Sequence, residues 1–381
     1  MPPKKAEKKA ADDPDGDPGM SPANLLSNYQ KVCRSSAVAI NQKVVETLTN
    51  EDQLEVFLKT SQLVVDDEHG PLGATGTRAL CSAILGLGQG LSGAPCKLVK
   101  SLRIWRGGAG DDGAACLAEL LRLGGAEVPI SYLELLDNNV GPRGARALGS
   151  ALASGRNKSL LTLKLDYNSS LGSDGVAALC LGLRTNSSLK QLHLPYCNVG
   201  PECGANLGEV LSSRSSALTL VNLQGNALGG VGLGGLCKGL TDNVSLTSLS
   251  LADNAIGGGV EDVQALKALG QVLVSAISVL SSVDLLYNRI GEAGALALHF
   301  EFNQKAPPVK VKQLLVDSTL PQALFDHLCR MDSGGGACAV LKSRAPRTEF
   351  ERFGFVLVGE RLLFVDPPLF HDTRRVSHPR A

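Results

Sequence analysis

A pattern of regularly spaced leucines runs through most of this chain and constrains its fold more than any other feature. Each copy reads L-x-x-L-x-L-x-x-N-x-(L/I/V)-G, and the clearest copy begins at Ile130, with its asparagine at Asn138. Six copies are in register, and weaker copies without the asparagine flank them. The asparagine position recurs every 28 to 34 residues, a period that accommodates one short strand and one helix. The pattern therefore predicts an elongated array of stacked units.

The residue types of the pattern have a physical reason. Side chains alternate along a strand, so the leucines point into the core and the residues between them face solvent. The chain turns sharply after each strand and leaves backbone amides that neither the strand nor the helix satisfies. A buried asparagine both donates and accepts hydrogen bonds, so stacked asparagines can satisfy these groups as a ladder. We predict ladder positions at Asn138, Asn168, Cys197, Asn226, Asn254 and Asn288.

The repeat resembles that of the ribonuclease-inhibitor-like leucine-rich-repeat proteins, and the resemblance covers about residues 60 to 320. It implies an α/β solenoid shaped like a horseshoe, with parallel strands on the concave face and helices on the convex face. It also implies that other proteins bind to the concave face. The small-residue stretches 145–152 and 176–183 fit the helices that such a fold requires.

The two ends of the chain differ in composition from the array. End repeats cannot leave apolar faces bare, so each end needs a cap. Apolar runs on both sides of Gly359 and Glu360 predict a β-hairpin, which either covers the last repeat or docks a separate partner. We predict a disordered charged tail at 1–20, a helical cap at 21–60, the array at 61–320, a C-terminal cap with the hairpin at 321–370 and a basic tail at 371–381.

The overall charge and the cysteines exclude several classes of protein. The 37 basic and 37 acidic residues balance, so the charge gives no reason to expect nucleic acid or a membrane as a partner. The 10 cysteines include no C-x-x-C pair and are expected to be free thiols in a reducing compartment. Among them, Cys116, Cys180 and Cys237 are expected to be buried on the helical side. In such a compartment the four N-x-[ST] matches have no role as glycosylation sites.

We find no sequence motif for catalysis, a cofactor or a metal. The glycines from Gly86 to Gly90 resemble part of a phosphate-binding loop, but no Lys-Ser/Thr follows them, and a turn explains them. The six histidines have no metal-ligand spacing. His193 is predicted at an exposed strand position, where a surface polar role is favoured over a base or a ligand. We therefore expect a protein that is not an enzyme.

Aromatic and charged residues recur on the face that the resemblance makes concave. One residue lies directly before each ladder position and before Gly107, which takes the ladder position in a weaker copy. These residues, here named the pre-ladder column, are Arg106, Asp137, Tyr167, Tyr196, Gly225, Asp253 and Tyr287. Tyr, Trp and Arg carry much of the binding energy in protein interfaces, although a tyrosine before the ladder also occurs without a function. We predict partner contacts at Arg103, Trp105, Arg106, Asp137, Tyr167, His193, Tyr196, Asp253 and Tyr287, with Tyr167 and Tyr196 about 5 Å apart.

The segment before the array resembles the helical lead-in of ciliary and centrosomal leucine-rich-repeat proteins. Tyr29-x-x-x-Cys33 followed by Asn41-x-x-x-Val45-x-x-Leu48, together with the MPPKK opening, carries this resemblance. It implies a structural or regulatory subunit of an axonemal complex, such as the nexin–dynein regulatory complex, in the cytoskeleton of a cilium or flagellum. The alternative is a cytosolic binder that regulates a signalling protein, similar to the Ran GTPase-activating proteins, which share the repeat but end in an acidic tail.

Overall fold

The computed structural model describes residues 19–91, 93–153, 155, 157–304, 311–317, 319–329, 355–358 and 361–364. The chain divides into two compact units, Met1–Cys338 and Ala339–Ala381. Several predicted features, including the charged tail at 1–18 and the basic tail at 371–381, lie outside the described residues.

Among its described residues, the first unit is built around one parallel sheet whose nine strands follow one another in chain order. Each strand pairs only with the strands of the preceding and following repeats; Leu133, for example, lies opposite both Leu102 and Leu163. The prediction of a leucine-rich-repeat solenoid is confirmed. The strands are β1 Gln62–Val65, β2 Ser101–Trp105, β3 Tyr132–Leu136, β4 Thr162–Lys164, β5 Gln191–His193, β6 Leu220–Asn222, β7 Ser248–Ser250, β8 Ser282–Asp284 and β9 Gln313–Leu315.

In the described part of the chain, three helices precede the sheet and nine more follow its strands in turn. In the array the apolar faces of the helices and the inward leucines of the strands form one continuous buried cluster. The helices are α1 Pro22–Ser35, α2 Gln42–Thr49, α3 Glu51–Thr60, α4 Gly73–Leu85, α5 Gly110–Gly124, α6 Pro142–Leu152, α7 Gly172–Leu183, α8 Glu202–Ser212, α9 Gly229–Leu240, α10 Val260–Leu273, α11 Gly291–Gln304 and α12 Gln322–Cys329.

The strands bury alternate residues, and this alternation defines the surface that a partner could reach. In β5 to β8 the middle residue is buried and its two neighbours are partly exposed. The buried residue points to the helices, so its neighbours lie on the opposite side of the sheet. We call that side, together with the pre-ladder column, the strand face.

Hydrogen bonds of the ladder residues connect successive repeats. The side-chain oxygen of Asn168 accepts from the amides of Asn138 (3.0 Å) and Val140 (2.9 Å), and its Nδ2 donates to the carbonyl oxygen of Leu135 (2.7 Å). Cys197 replaces asparagine by donating its thiol to the carbonyl oxygen of Leu165 at 3.0 Å. Each ladder side chain therefore satisfies backbone groups of its own repeat and of the preceding one.

Asn254 departs from this arrangement. Its Nδ2 donates to the carbonyl oxygen of Leu223 at 2.8 Å, but its Oδ1 is buried without a partner in the described part of the chain. Asn226 in the preceding repeat still accepts from Cys197 and Val199. In the described part of the chain, the ladder therefore lacks the hydrogen bonds that the side-chain oxygen of Asn254 would accept from the preceding repeat.

A second set of asparagines, which precede the strands in sequence, also satisfies backbone groups with hydrogen bonds. Asn157, Asn186 and Asn243 are buried, and each donates Nδ2 to a carbonyl oxygen of the preceding repeat at 2.7 to 2.9 Å. Each also accepts the amide three residues later. Three of the N-x-[ST] matches are thus structural asparagines, and the recurring N-x-S-L pattern is the signal that could have shown it.

The helices of the amino-terminal segment pack through the residues that carry the ciliary resemblance. Tyr29 and Cys33 are fully buried, and the Tyr29 hydroxyl accepts the amide of Asn41 at 3.2 Å. The Asn41 side chain begins α2 by accepting the amides of Lys43 and Val44. The hydrogen bond between Tyr29 and Asn41 therefore links α1 to the start of α2.

The second unit contains an antiparallel hairpin of β10 Phe355–Val358 and β11 Arg361–Phe364. Phe355 pairs with Phe364 and Val358 pairs with Arg361. The predicted antiparallel pairing of the two apolar runs is confirmed for these strands, whereas the role of the hairpin as a cap or a docking element stays a prediction.

The cysteines largely follow the sequence analysis. Among the described cysteines, eight are free thiols. Cys180 and Cys237 are buried as predicted, but the prediction for Cys116 is wrong, because it is only partly buried between α4 and α5. None of the helices in the described residues combines the length and the apolar character that a bilayer crossing needs.

Candidate functional site

The pre-ladder column has an unusual backbone. From Arg106 to Tyr287 its seven residues all have left-handed φ angles, between 50° and 69°. This conformation follows from the sharp turn that places the next residue in the ladder. Asn, Asp and Gly adopt it readily, whereas bulky residues do so rarely and at a cost of about 1 kcal/mol or more. Large side chains at three tyrosine positions therefore oppose the local backbone preference, which is a reason to look for a function there.

Tyr167 and Tyr196 form an aromatic stack on the strand face. Their ring centroids are 4.9 Å apart and the planes differ by 12°, which agrees with the predicted separation. The Tyr196 ring also covers Gly225, since a Cβ atom there would lie 2.2 Å from its Cε1. Gln224 donates Nε2 to the Tyr196 hydroxyl at 3.3 Å. The stack is thus held in place before any partner arrives.

A group of charged residues lies on the strand face beside this stack, and we call it the floor network. At its centre is Glu134, which is only 4% exposed. Its carboxylate accepts from the Tyr132 hydroxyl (2.8 Å) and pairs with Lys164 (3.3 Å) and Arg103 (3.7 Å). Arg103 also lies 4.6 Å above the Tyr132 ring, and Lys164 pairs with Asp166 at 3.5 Å. Arg103 is therefore held by the network as well as being available at the surface.

The other predicted contact residues are distributed along the same face. Arg106 pairs with Asp67 through Nε and Nη2. Trp105 is half-buried, and its Nε1 has no hydrogen-bond partner among the described residues. Asp137 and Asp253 are exposed, and Tyr287 is 60% exposed. The structure thus gathers all nine predicted contact residues on one face, while their role in binding stays a prediction.

Burial shifts the pKa values of two side chains on this face. The pKa of Asp166 rises to about 6 because burial disfavours its charge, an effect that Lys164 partly opposes. The pKa of His193 falls to about 4, first because of burial and then because Lys164 repels its cation. His193 is therefore less exposed than predicted. Its neutral imidazole is half-buried beside the floor network.

His193 provides a test of this electrostatic arrangement. We expect its imidazole to titrate near pH 4 in NMR spectra, with the signal assigned by its absence in His193→Gln. An unfolded histidine titrates near 6.5, so the unfolded state binds more protons between pH 6.5 and 4. The contribution of His193 to stability should therefore fall as the pH is lowered through that window. The raised pKa of Asp166 acts in the opposite direction in both proteins, so the difference between wild type and His193→Gln should isolate a loss of about 2 kcal/mol. A midpoint near 6.5 would show that the imidazole is solvated.

Sequence reasoning missed part of this site. Tyr132 and Asp166 were not among the predicted contacts, and the burial of Glu134 was not anticipated. A usable signal existed, because opposite charges occupy the same strand position in Arg103, Glu134 and Lys164. In the described residues, no group of three or more His, Cys, Asp or Glu side chains could hold a metal ion.

Comparison with known proteins supports the repeat assignment. A sequence profile described as "Leucine Rich repeat" matches residues 156–180 and 242–259, which include the strands β4 and β7. Together with the parallel sheet and the asparagine ladder, these matches identify the repeating units as leucine-rich repeats. The chain contains leucine-rich repeats and folds as a leucine-rich-repeat solenoid.

Several curated proteins are similar to this chain over part of its length. It is 31% identical to NACHT, LRR and PYD domains-containing protein 12 of Mus musculus over 52% of its own length and 18% of the relative. It is 34% identical to the ribonuclease inhibitor of Mus musculus over 41% of its length and 33% of the relative. It is 27% identical to the protein phosphatase 1 regulatory subunit 37 homolog of Caenorhabditis elegans over 35% of its length and 15% of the relative. The chain therefore spans a third or less of these relatives.

Proposed function

We propose that this chain is a non-catalytic scaffold that binds other proteins through its strand face. The stacked pair of Tyr167 and Tyr196 carries this proposal, because two aromatic rings are fixed in advance on an accessible surface. Aromatic anchors that are already ordered lose little entropy on binding and often dominate the affinity of an interface. The left-handed backbone beneath the rings adds support, since asparagine or glycine would adopt that conformation at lower cost.

The binding test replaces both rings with a residue that suits the backbone. The double variant Tyr167→Asn, Tyr196→Asn should keep the fold, because asparagine tolerates left-handed φ angles. Affinity for the native partner should fall at least about thirtyfold, which corresponds to the loss of one strong aromatic anchor. Tagged full-length chain can be expressed in its source cells, captured with its cross-linked partners and analysed by mass spectrometry.

Matched variants distinguish the strand face from the two other candidate surfaces, which are the helical side and the hairpin. Leu181 and Val231 are exposed on α7 and α9, so Leu181→Asn with Val231→Asn makes a similar change on the helical side. Phe364→Asn likewise replaces a large apolar residue with asparagine in the hairpin. Partner loss in the tyrosine variant alone supports the strand face. Partner loss in the hairpin variant with retention in the tyrosine variant, both folded, would contradict it.

We further propose that the partners are subunits of an axonemal complex of a cilium or flagellum, where the chain regulates dynein-driven motility. The support for this finer proposal is the resemblance of the segment around Tyr29, Cys33 and Asn41. If it is correct, the protein should stay with the cytoskeleton in detergent and leave it only in high salt. Complete release by detergent alone would contradict an axonemal role.

The second candidate is a cytosolic binder that regulates a signalling protein. The relatives favour it, since one of them is named as an inhibitor and another as a regulatory subunit of a phosphatase. Release into the detergent-soluble fraction together with one stoichiometric partner would support this candidate.

A further inference from the structure

The strand face carries an uneven charge at the carboxyl ends of its strands. Two positions recur next to the ladder in every repeat, namely the pre-ladder residue and the residue directly before it. They are Arg106 and Trp105 in the repeat of β2 and, by the register of β1 with β2, Asp67 and Asp66 in the first repeat. Among the described residues at these two positions, the only basic residue is Arg106, and it is already paired with Asp67. The acidic residues there are Asp66, Asp67, Asp137, Asp166, Asp253 and Asp317. At these two positions acidic residues therefore outnumber basic ones in the described part of the chain, and three of them, Asp66, Asp67 and Asp166, are paired with Lys43, Arg106 and Lys164.

Two of these carboxylates remain available for a partner. Asp137 and Asp253 are exposed, and neither is in an ion pair within the described part of the chain. By contrast, Asp166 pairs with Lys164, and Asp317 accepts the amide of Tyr287. The aromatic stack lies between the two available carboxylates, because the pre-ladder column runs Asp137, Tyr167, Tyr196, Gly225, Asp253.

The distances along this column limit what can occupy it. Asp137 and Asp253 follow β3 and β7, which are four strand steps apart, so about 19 Å separates them at the usual strand spacing. An extended peptide covers this distance with roughly six residues. Between the ends it meets the Tyr196 ring lying over the bare backbone of Gly225.

We propose that the strand face binds a cationic segment of its partner, with arginines on Asp137 and Asp253 and over the stacked rings of Tyr167 and Tyr196. Arginine fits both features, since its planar cation pairs with carboxylates and stacks on aromatic faces, whereas lysine offers a point charge. This inference rests on the proposed function, because it names the chemistry of the partner that the same face would bind.

The test uses the full chain and three synthetic peptides. The probes are (Arg-Gly-Ser)₄, (Lys-Gly-Ser)₄ and (Glu-Gly-Ser)₄, titrated by calorimetry at low and at physiological salt. We expect saturable binding of the arginine peptide, weaker binding of the lysine peptide and none of the glutamate peptide. Asp137→Asn with Asp253→Asn should weaken arginine-peptide binding by about five- to tenfold, the scale of two exposed ion pairs.

A control variant with the same change of charge distinguishes this site from general attraction. Asp242 and Glu292 are exposed outside the strand face, so Asp242→Asn with Glu292→Gln should alter binding by less than about twofold. Tyr167→Asn with Tyr196→Asn should abolish the preference for arginine over lysine. Absence of saturable binding, or equal weakening by the control, overturns the inference.

The outcomes also separate this inference from the proposed function. If the tyrosine variant releases the native partner while no cationic peptide binds the wild type, the strand face is the interface and its partner is not cationic. If the tyrosine variant retains the native partner, the proposed function fails whatever the peptides do.

Discussion

Replacing Gly239 by alanine should destabilise the array by about 3 kcal/mol or more, a large effect for one methyl group. Gly239 lies in α9 where this helix meets α8, and a Cβ atom there would lie 2.0 Å from the carbonyl oxygen of Gly208. The obstacle is backbone, so the helices must move apart. Equilibrium unfolding in urea should show the loss as a lower midpoint with an unchanged slope.

The same helix offers a control for this prediction. Gly234 lies in α9, and a Cβ atom there would meet nothing within 4 Å. Gly234→Ala should therefore stabilise the protein by about 0.5–1 kcal/mol, because alanine favours the helix and restricts the unfolded chain. Equal unfolding midpoints for the two variants would show that α8 and α9 do not touch at Gly239.

The second large effect is expected at the ladder. Asn168→Ala leaves the amides of Asn138 and Val140 and the carbonyl of Leu135 without their side-chain partner. Unpaired buried groups cost about 1–3 kcal/mol each, and partial relaxation should bring the total to about 3–4 kcal/mol. Thermal or urea unfolding measures this loss directly.

Two other substitutions serve as references for the loss of stability in Asn168→Ala. Ser169→Ala alters an exposed residue and should change stability by no more than about 0.5 kcal/mol. Cys197→Ala should cost less than Asn168→Ala, because a thiol is a weaker donor than an amide. A loss no larger at Asn168 than at Ser169 would contradict the role of the ladder.

The sequence was sufficient to predict the fold because the information repeats. Inward leucines and a polar ladder residue return in every unit, so one interpretation of the copy around Asn138 fixes the others. The 4.9 Å between Tyr167 and Tyr196 followed in the same way, since equivalent residues of adjacent strands must lie one strand spacing apart.

Features that depend on contacts between dissimilar residues were harder to predict. The burial of Glu134 depends on Tyr132 beside it and on Arg103 and Lys164 about 30 residues away in sequence. The repeat pattern assigns no role to Gly239, whereas in the structure this residue permits a close approach of two helices. Both features arise from packing between repeats, which the pattern within one repeat does not contain.

Because of the left-handed backbone of the pre-ladder column, substitutions that stabilise the fold are expected to weaken the affinity for a partner. Each tyrosine in the column occupies a conformation that asparagine or glycine would adopt at lower cost. Substitutions selected only for heat resistance should therefore accumulate at Tyr167 and Tyr196 and remove the rings. Thermostabilisation of this protein for other purposes would gradually yield an inert scaffold, unless the selection also demands binding.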